Sequence, residues 1–176
     1  EGEVEWATSV VGGSINSIAI TEDGGWIVVG NSRMIKYSNS GEVEWEKSTK
    51  GSKVAVTKDG GYIVGGSFSG TIKVGDYTLT SAGLSDGIII KYSKEGEVEW
   101  IQSVGNDRYE YITSVAATSD GGYIVGGYFD SRSIKVGRYV LNASTYVSNS
   151  TYRDGMIIKY SKEGEVEWAR RVGGKS

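Results

Sequence analysis

Asp59-Gly60-Gly61-Tyr62-Ile63-Val64-Gly65-Gly66 decides the fold of this chain, because it comes back. Asp120-Gly121-Gly122-Tyr123-Ile124-Val125-Gly126-Gly127 repeats it letter for letter, and Asp23-Gly24-Gly25-Trp26-Ile27-Val28-Val29-Gly30 repeats it with two changes. The neighbours keep a constant order. An apolar-Ala-apolar-Thr element precedes each copy: Ile18-Ala19-Ile20-Thr21, Val54-Ala55-Val56-Thr57 and Val115-Ala116-Ala117-Thr118. Ile-Lys-Tyr-Ser follows at 35–38, 90–93 and 158–161. Gly-Glu-Val-Glu-Trp comes next, ending at Trp45, Trp100 and Trp168, with a further copy ending at Trp6. A fixed internal period of this kind takes precedence over any local reading.

Each element is short, rich in β-branched and aromatic residues and bounded by turn residues, so each reads as a strand. No helical period is sustained anywhere. We label them A (apolar-Ala-apolar-Thr), B (after Asp-Gly-Gly), C (Ile-Lys-Tyr-Ser) and D (Gly-Glu-Val-Glu-Trp). Asp-Gly between A and B predicts a type I′ hairpin turn. Ser-Asn-Ser-Gly (38–41) and Ser-Lys-Glu-Gly (93–96 and 161–164) between C and D predict a type I turn with a glycine bulge. Four strands joined this way form an antiparallel meander, which repeated radially is a β-propeller blade. The expected fold is therefore all-β: a lone D strand at 1–13, then three four-stranded blades at 14–50, 51–106 and 107–176. A β-solenoid is the main alternative, but unequal repeats and hairpin turns count against it. Three blades fall short of the roughly four to eight of a closed propeller. A segment of a larger propeller, or a ring completed by other copies of the chain, is expected.

Composition narrows the function. Hydrophobic residues make up 38% of 176, and 12 Tyr with 5 Trp make the chain too apolar and aromatic for disorder. The 27 Gly have no three-residue period and no Pro accompanies them, which excludes collagen. There is no Cys, hence no disulfide, thiol nucleophile or thiolate metal site. There is no His, which removes the commonest general base and transition-metal ligand. A net charge of −3 and a pI near 5.1 argue against a nucleic-acid partner. No apolar run reaches the length of a bilayer span, so no membrane insertion is expected. Glu1 opens directly into a repeat motif, which predicts no signal peptide.

The succession Asp-Gly-Gly-Tyr-Ile-Val-Gly-Gly, Asp-Gly-x-Ile-Ile-Lys-Tyr-Ser and Gly-Glu-Val-Glu-Trp resembles the propeller-type repeats of large bacterial and archaeal cell-surface proteins. The resemblance covers nearly the whole chain. It implies a non-enzymatic binding or spacer module, extracellular or on the cell surface. The first repeat departs from it, because Asn31-Ser32-Arg33 stands in place of a long connector and its Asp-Gly.

Spacing shows where the repeats differ. Nine residues separate Lys36 from Trp45, Lys91 from Trp100 and Lys159 from Trp168. From the Asp of Asp-Gly-Gly to the strand-C lysine the separations are 13, 32 and 39. From each Trp to the next Asp they are 17, 14 and 20. Variation therefore falls on the B–C and D–A connections, which share one edge of a meander, and variable loops on a constant scaffold are where binding resides. The long connectors are themselves related: Thr71-Ile72-Lys73-Val74-Gly75-Asp76-Tyr77-Thr78-Leu79 matches Ser133-Ile134-Lys135-Val136-Gly137-Arg138-Tyr139-Val140-Leu141. Each reads as a small hairpin whose Ile, Val and Leu pack on a neighbour. The rest of the third connector, 142–153, is rich in Ser, Thr, Asn and Tyr, the palette of adaptable contact loops; a solvated loop without a ligand is the competing reading. Candidate ligand-binding residues are Lys73, Tyr77, Lys135, Arg138, Tyr139, Tyr146, Tyr152 and Arg153, with a glycan or protein as ligand.

Other constellations have plainer readings. The pairs Glu3/Glu5, Glu42/Glu44, Glu97/Glu99 and Glu165/Glu167 share one side of a strand at roughly 7 Å, within inverting-glycosidase range. A catalytic pair is singular and these recur, so they read as solubilising charges that block edge pairing. Val4/Trp6, Val43/Trp45, Val98/Trp100 and Val166/Trp168 read as packing on a neighbouring blade rather than as a sugar platform. Asp23, Asp59 and Asp120 lack the dense acidic spacing of a calcium loop and read as turn residues. The Ser/Thr-x-Asp-Gly-Gly stretch is faintly similar to the sialidase Asp-box but lacks its spacing and its Trp. Asp86 and Asp154 read as closing the long connectors, and Lys36, Lys91 and Lys159 as part-buried stems pairing with nearby Glu. Asn142-Ala143-Ser144 and Asn149-Ser150-Thr151 fit the glycosylation sequon. No catalytic residue, metal or cofactor is expected. The rivals to a binding module are a structural spacer or self-assembling unit without a ligand, and a fragment of a carbohydrate-active enzyme, which requires a non-repeated acidic pair.

Overall fold

Residues 13–144 and 153–173 are described by the computed structural model, and every regular element among them is a strand. In chain order these are β1 (Ser17–Ile20), β2 (Trp26–Gly30), β3 (Arg33–Tyr37), β4 (Val43–Ser48), β5 (Gly51–Val56), β6 (Tyr62–Phe68), β7 (Thr71–Val74) and β8 (Tyr77–Thr80). Then follow β9 (Asp86–Tyr92), β10 (Val98–Val104), β11 (Glu110–Ala117), β12 (Tyr123–Phe129), β13 (Ser133–Val136), β14 (Tyr139–Asn142), β15 (Asp154–Tyr160) and β16 (Val166–Val172). They pair into three four-stranded antiparallel sheets, β1-β2-β3-β4, β5-β6-β9-β10 and β11-β12-β15-β16, and two separate hairpins, β7-β8 and β13-β14. Strands A to D of each repeat thus lie side by side in sequence order. A bulge follows the strand-C lysine in all three sheets, at Lys36/Tyr37, Lys91/Tyr92 and Lys159/Tyr160.

The turns differ from expectation at one place. Asp23, Asp59 and Asp120 do not take positive φ; only the following Gly24, Gly60 and Gly121 do, at 80°, 80° and 88°. The amide of Gly24 bonds to the Thr21 carbonyl, and the Thr21 amide to the Gly25 carbonyl. This is a type I turn with a glycine bulge, the same device as the C–D turns at Gly41, Gly96 and Gly164. The reason is the aspartate itself. Its carboxylate accepts the amide two residues on, at 3.1, 3.0 and 2.9 Å in the three repeats, and an Asx bond of this kind holds the right-handed conformation. The double-positive signature of a type I′ turn occurs instead at Asn31 (50°) and Ser32 (61°), joining β2 directly to β3.

The core lies between sheets. Ile27, Val29 and Met34 of the first sheet pack against Val54, Tyr62, Val64, Ile88, Ile90 and Tyr92 of the second. The opposite side of the second sheet, through Ile63, Ile89 and Val104, packs against Ile112, Tyr123, Val125, Met156, Ile158 and Tyr160 of the third. The middle sheet is therefore covered twice, which is why Ile88-Ile89-Ile90 reads as an unbroken apolar run rather than an alternation. Tryptophans close both seams at the outer strand. Trp45 meets Tyr62 edge-on with ring centroids 5.7 Å apart, and Trp100 meets Tyr123 at 6.0 Å. At Gly65 a Cβ would stand 2.6 Å from Val115 and 2.7 Å from Ile112, so glycine there sets how closely the sheets approach.

Candidate functional site

Three polar assemblies are built on this frame. The first is repeated. Lys36 Nζ lies 3.0 Å from Asp23, 3.1 Å from Glu44 and 3.0 Å from the Tyr37 carbonyl. Lys91 makes the same set with Asp59, Glu99 and Tyr92 at 3.0 Å each. Lys159 does so with Asp120, Glu167 and Tyr160 at 3.0, 3.2 and 3.0 Å. All three lysines are buried and their carboxylate partners are half-exposed. Each aspartate also accepts the preceding threonine hydroxyl, from Thr21, Thr57 or Thr118. The bond from Thr118, the Gly122 amide and Lys159 hold the Asp120 carboxyl below its ordinary range. The bond from Thr21, then Lys36 and the Gly25 amide, do the same for Asp23. At Asp59 partial burial pushes upward, but bonds from Thr57, Gly61 and Lys91 outweigh it. Glu44, Glu99 and Glu167, the second glutamates of the three described pairs, are thus ion-pair partners rather than free surface charges, and Glu3/Glu5 lie outside the described residues. The aspartate does more than turn the chain: it ties the A–B turn to strands C and D. This also fixes the geometry of the edges, with A–B and C–D turns on one and the long connectors leaving from the other.

The second assembly holds most of the candidate binding residues. Both connector hairpins start at the expected edge, but they do not project from it. They fold back along the outer strand of their own sheet. Gly75 sits over Val98 and Gly137 over Val166, at the beginning of β10 and β16. Tyr77 donates its hydroxyl to the Glu99 carbonyl at 2.7 Å, and Tyr139 donates to the Glu167 carbonyl. The cause is apolar burial. Ile72, Val74 and Leu79 join the first seam, and Ile134, Val136 and Leu141 the second. Lys73, Lys135 and Arg138 remain exposed on the outside, and Arg138 lies over the Tyr139 ring at 5.2 Å. Where the first repeat has no hairpin, the matching Val43 is bare. Arg153 lies apart from this group, over the Tyr128 ring at 4.5 Å, and Tyr128 in turn packs on Tyr111 at 5.0 Å. Tyr146 and Tyr152 lie outside the described residues.

The centre of the third assembly, Glu110, was not legible in the repeat. Glu110 is fully buried between the second and third sheets, accepting the Ser131 hydroxyl and, at 3.0 Å, the Asn106 amide. Burial pushes its carboxyl up, with Asp86 and Asp130 nearby adding to the effect. Asp86 accepts the Ala82 and Gly83 amides, and Asp154 accepts the Ser144 amide and hydroxyl together with Arg171, so both close their connectors. Ser85 bonds through its backbone to Arg108 and Glu110, locking connector to connector. Asp86 and Asp154 occupy one position in the second and third repeats and Glu110 has no such counterpart; each of the three is occupied by amides, a hydroxyl or a guanidinium. The signal available in sequence was the longer D–A spacing before Asp120. Among the described residues no group of three or more acids stands positioned for a metal ion.

No protein-family model and no curated protein matches the chain. Two of the solved structures similar to it have a TM-score above 0.5. One is a protein of unknown function from Bacteroides caccae, over 97% of the chain at a TM-score of 0.52 and 14% identity. The other is a eukaryotic initiation factor, over 95% at 0.54 and 10% identity. The chain spans 65% of the first and 35% of the second. Likeness at these identities bears on the fold alone, an all-β, propeller-like arrangement of antiparallel four-stranded sheets.

Proposed function

We propose that the three sheets are consecutive blades of a β-propeller, at 14–50, 51–106 and 107–176 with a further D strand at 1–13, and that they form a non-enzymatic binding module. The identical A-B-C-D register of each sheet and the Trp-on-Tyr seams support the blade reading. One observation carries the function. The two hairpins that distinguish the second and third repeats from the first are pinned to the perimeter by tyrosine hydroxyls, and they hold Lys73, Lys135 and Arg138 outward on rigid elements. The second hairpin carries no acidic residue and the first only Asp76, although the chain as a whole is net negative. A cationic, aromatic-backed surface of this kind fits an acidic glycan. The resemblance of the repeat to those of microbial surface proteins supports an extracellular or cell-surface setting for this contact.

The test is a glycan array carrying carboxylated and sulfated polysaccharides, probed with the whole chain and with Lys73→Glu/Lys135→Glu/Arg138→Glu. Salt-sensitive binding that the triple variant loses, with unchanged thermal stability, is the expected result. Binding to an acidic peptide but to no glycan overturns the ligand class. Equal behaviour of both proteins overturns the surface.

A further inference from the structure

We propose that the first seam holds a seat for a tetrahedral oxyanion, the sulfate or phosphate group of an acidic glycan. This rests on the reading of the connector hairpins as the glycan-contacting surface and narrows the ligand class. A cavity of about 80 Å³ opens where the end of β4 and the link that follows it meet the β7-β8 hairpin. That is several times the space one water molecule needs. Lys50 from the link and Lys73 from the hairpin both line it, and no described acidic residue does. Both lysines are exposed, and neither makes an ion pair or hydrogen bond among the described residues. The strand-C lysines are handled differently, because Lys36, Lys91 and Lys159 each meet two carboxylates. Lys50 and Lys73 thus bring two like charges to one concave spot without a counter-charge.

A buried hydroxyl at the same cavity is an independent sign. Thr49 lines it and is 1% exposed. Its oxygen accepts the Tyr92 hydroxyl at 2.9 Å and the Gly51 amide at 3.4 Å. Both lone pairs are thereby taken, and its own proton has no acceptor among the described residues. A buried donor is costly when nothing accepts from it. An oxyanion in the cavity accepts this proton and neutralises both lysines, and Ser48, also on the lining, brings a further hydroxyl. No described arginine lines the cavity, so a planar carboxylate finds no bidentate partner there. Ammonium groups and hydroxyls arriving from separate elements suit an anion whose oxygens point in several directions. The seat is particular to the first seam. At the second, Val104 and Gly105 stand where Thr49 and Lys50 do, although Lys135 keeps the place of Lys73. The repeat keeps the hairpin lysine at both seams and completes the donor set at one.

Isothermal titration of the whole chain with sodium sulfate, sodium phosphate and sodium acetate at constant ionic strength tests this. Sulfate and phosphate are expected to saturate at one ion per chain, and acetate to bind about tenfold more weakly. Thr49→Val and Lys50→Gly place the second seam's own residues at the first, so both are expected to fold, which far-ultraviolet dichroism checks. Each is expected to weaken sulfate binding about tenfold, whereas Thr49→Ser, which keeps the hydroxyl, retains it. Lys50→Gly, at an exposed position, decides alone where Thr49→Val does not fold. One polysaccharide carrying sulfate, phosphate or carboxylate groups in turn separates the sources: the ester whose binding falls most in Lys50→Gly is the one the seat takes. No saturable sulfate or phosphate binding by the parent chain, acetate bound as tightly, or parent affinity in either folded variant overturns the seat. The two proposals fail separately. Glycan binding lost in Lys135→Glu/Arg138→Glu but intact in Lys50→Gly keeps the hairpin surface and overturns the seat. Saturable sulfate binding with no glycan bound keeps the oxyanion seat and overturns the glycan surface.

Discussion

At the residue scale, one hydroxyl shows what the repeats enforce and what they leave loose. Tyr92 donates to the Thr49 hydroxyl at 2.9 Å across the first seam. Tyr160 occupies the same position at the second seam, where the counterpart of Thr49 is Val104, and its buried hydroxyl makes no hydrogen bond among the described residues. Tyr92→Phe is expected to cost about 1 kcal/mol in denaturant unfolding, because it removes a buried hydrogen bond across the seam, whereas Tyr160→Phe is neutral or stabilising. Val104→Thr supplies the missing acceptor and should raise the midpoint; equal losses for both Phe variants would sink the comparison. Acid–base behaviour separates residues in the same way. The depressed carboxyls of Asp23, Asp59 and Asp120 contribute stability that is present above the ordinary aspartate range and lost as pH falls below it. Glu110 has the opposite sign: its raised carboxyl is best accommodated protonated, so its contribution is full at low pH and lost as pH rises through its elevated value. Glu110→Gln, which keeps an acceptor for Asn106, is expected to gain on the parent as pH rises from 4 to 8. A gap that is flat with pH would show that Glu110 does not titrate in the fold.

At the scale of elements, what was legible followed from repetition. Strands A to D, their order and the bulged C–D turns could be read because the same letters recur at the same spacing. The A–B turn was misread, because Asp-Gly alone does not reveal that the carboxylate will capture the amide two residues on. The hairpins could be read as hairpins, from Gly75 and Gly137, but not their lie. Their direction is set by Val98 and Val166, residues of a different strand that Gly75 and Gly137 cover, as the bare Val43 of the first repeat shows. Of the candidate binding residues, Lys73 and Tyr77 lie on one hairpin, Lys135, Arg138 and Tyr139 on the other, and Arg153 on neither. No sequence spacing distinguishes these outcomes. The same reasoning grades the tryptophans. Trp45→Ala and Trp100→Ala each remove a ring from a packed seam and should cost about 3 kcal/mol. Trp168→Ala in dilute protein should cost less than half as much, and comparable losses at all three positions would mean that Trp168 is packed as they are.

At the scale of the whole molecule, cover is unequal. The second sheet packs against another sheet on both faces and, among the described residues, each outer sheet against another sheet on one face, so opening is expected to proceed from the ends, as in other stacked repeats. Hydrogen exchange followed by mass spectrometry should find peptides from β6 and β9 slowest, with β1 and β16 fastest. Uniform protection across the three sheets would indicate all-or-none opening instead.

The two-residue link at Asn31-Ser32 has a consequence for how such a chain can change. The three sheets are held by the same lysine-centred ties whether strands B and C are joined by two residues or by a long connector. That junction is therefore a natural acceptor site for grafted sequence. Transplanting residues 69–85 between Gly30 and Arg33 should lay a third hairpin over Val43 and silence its exposed apolar side chain, without disturbing the sheet beneath. A lineage built from this unit can diversify its outer wall, one insertion at a time, while its interior is inherited unchanged.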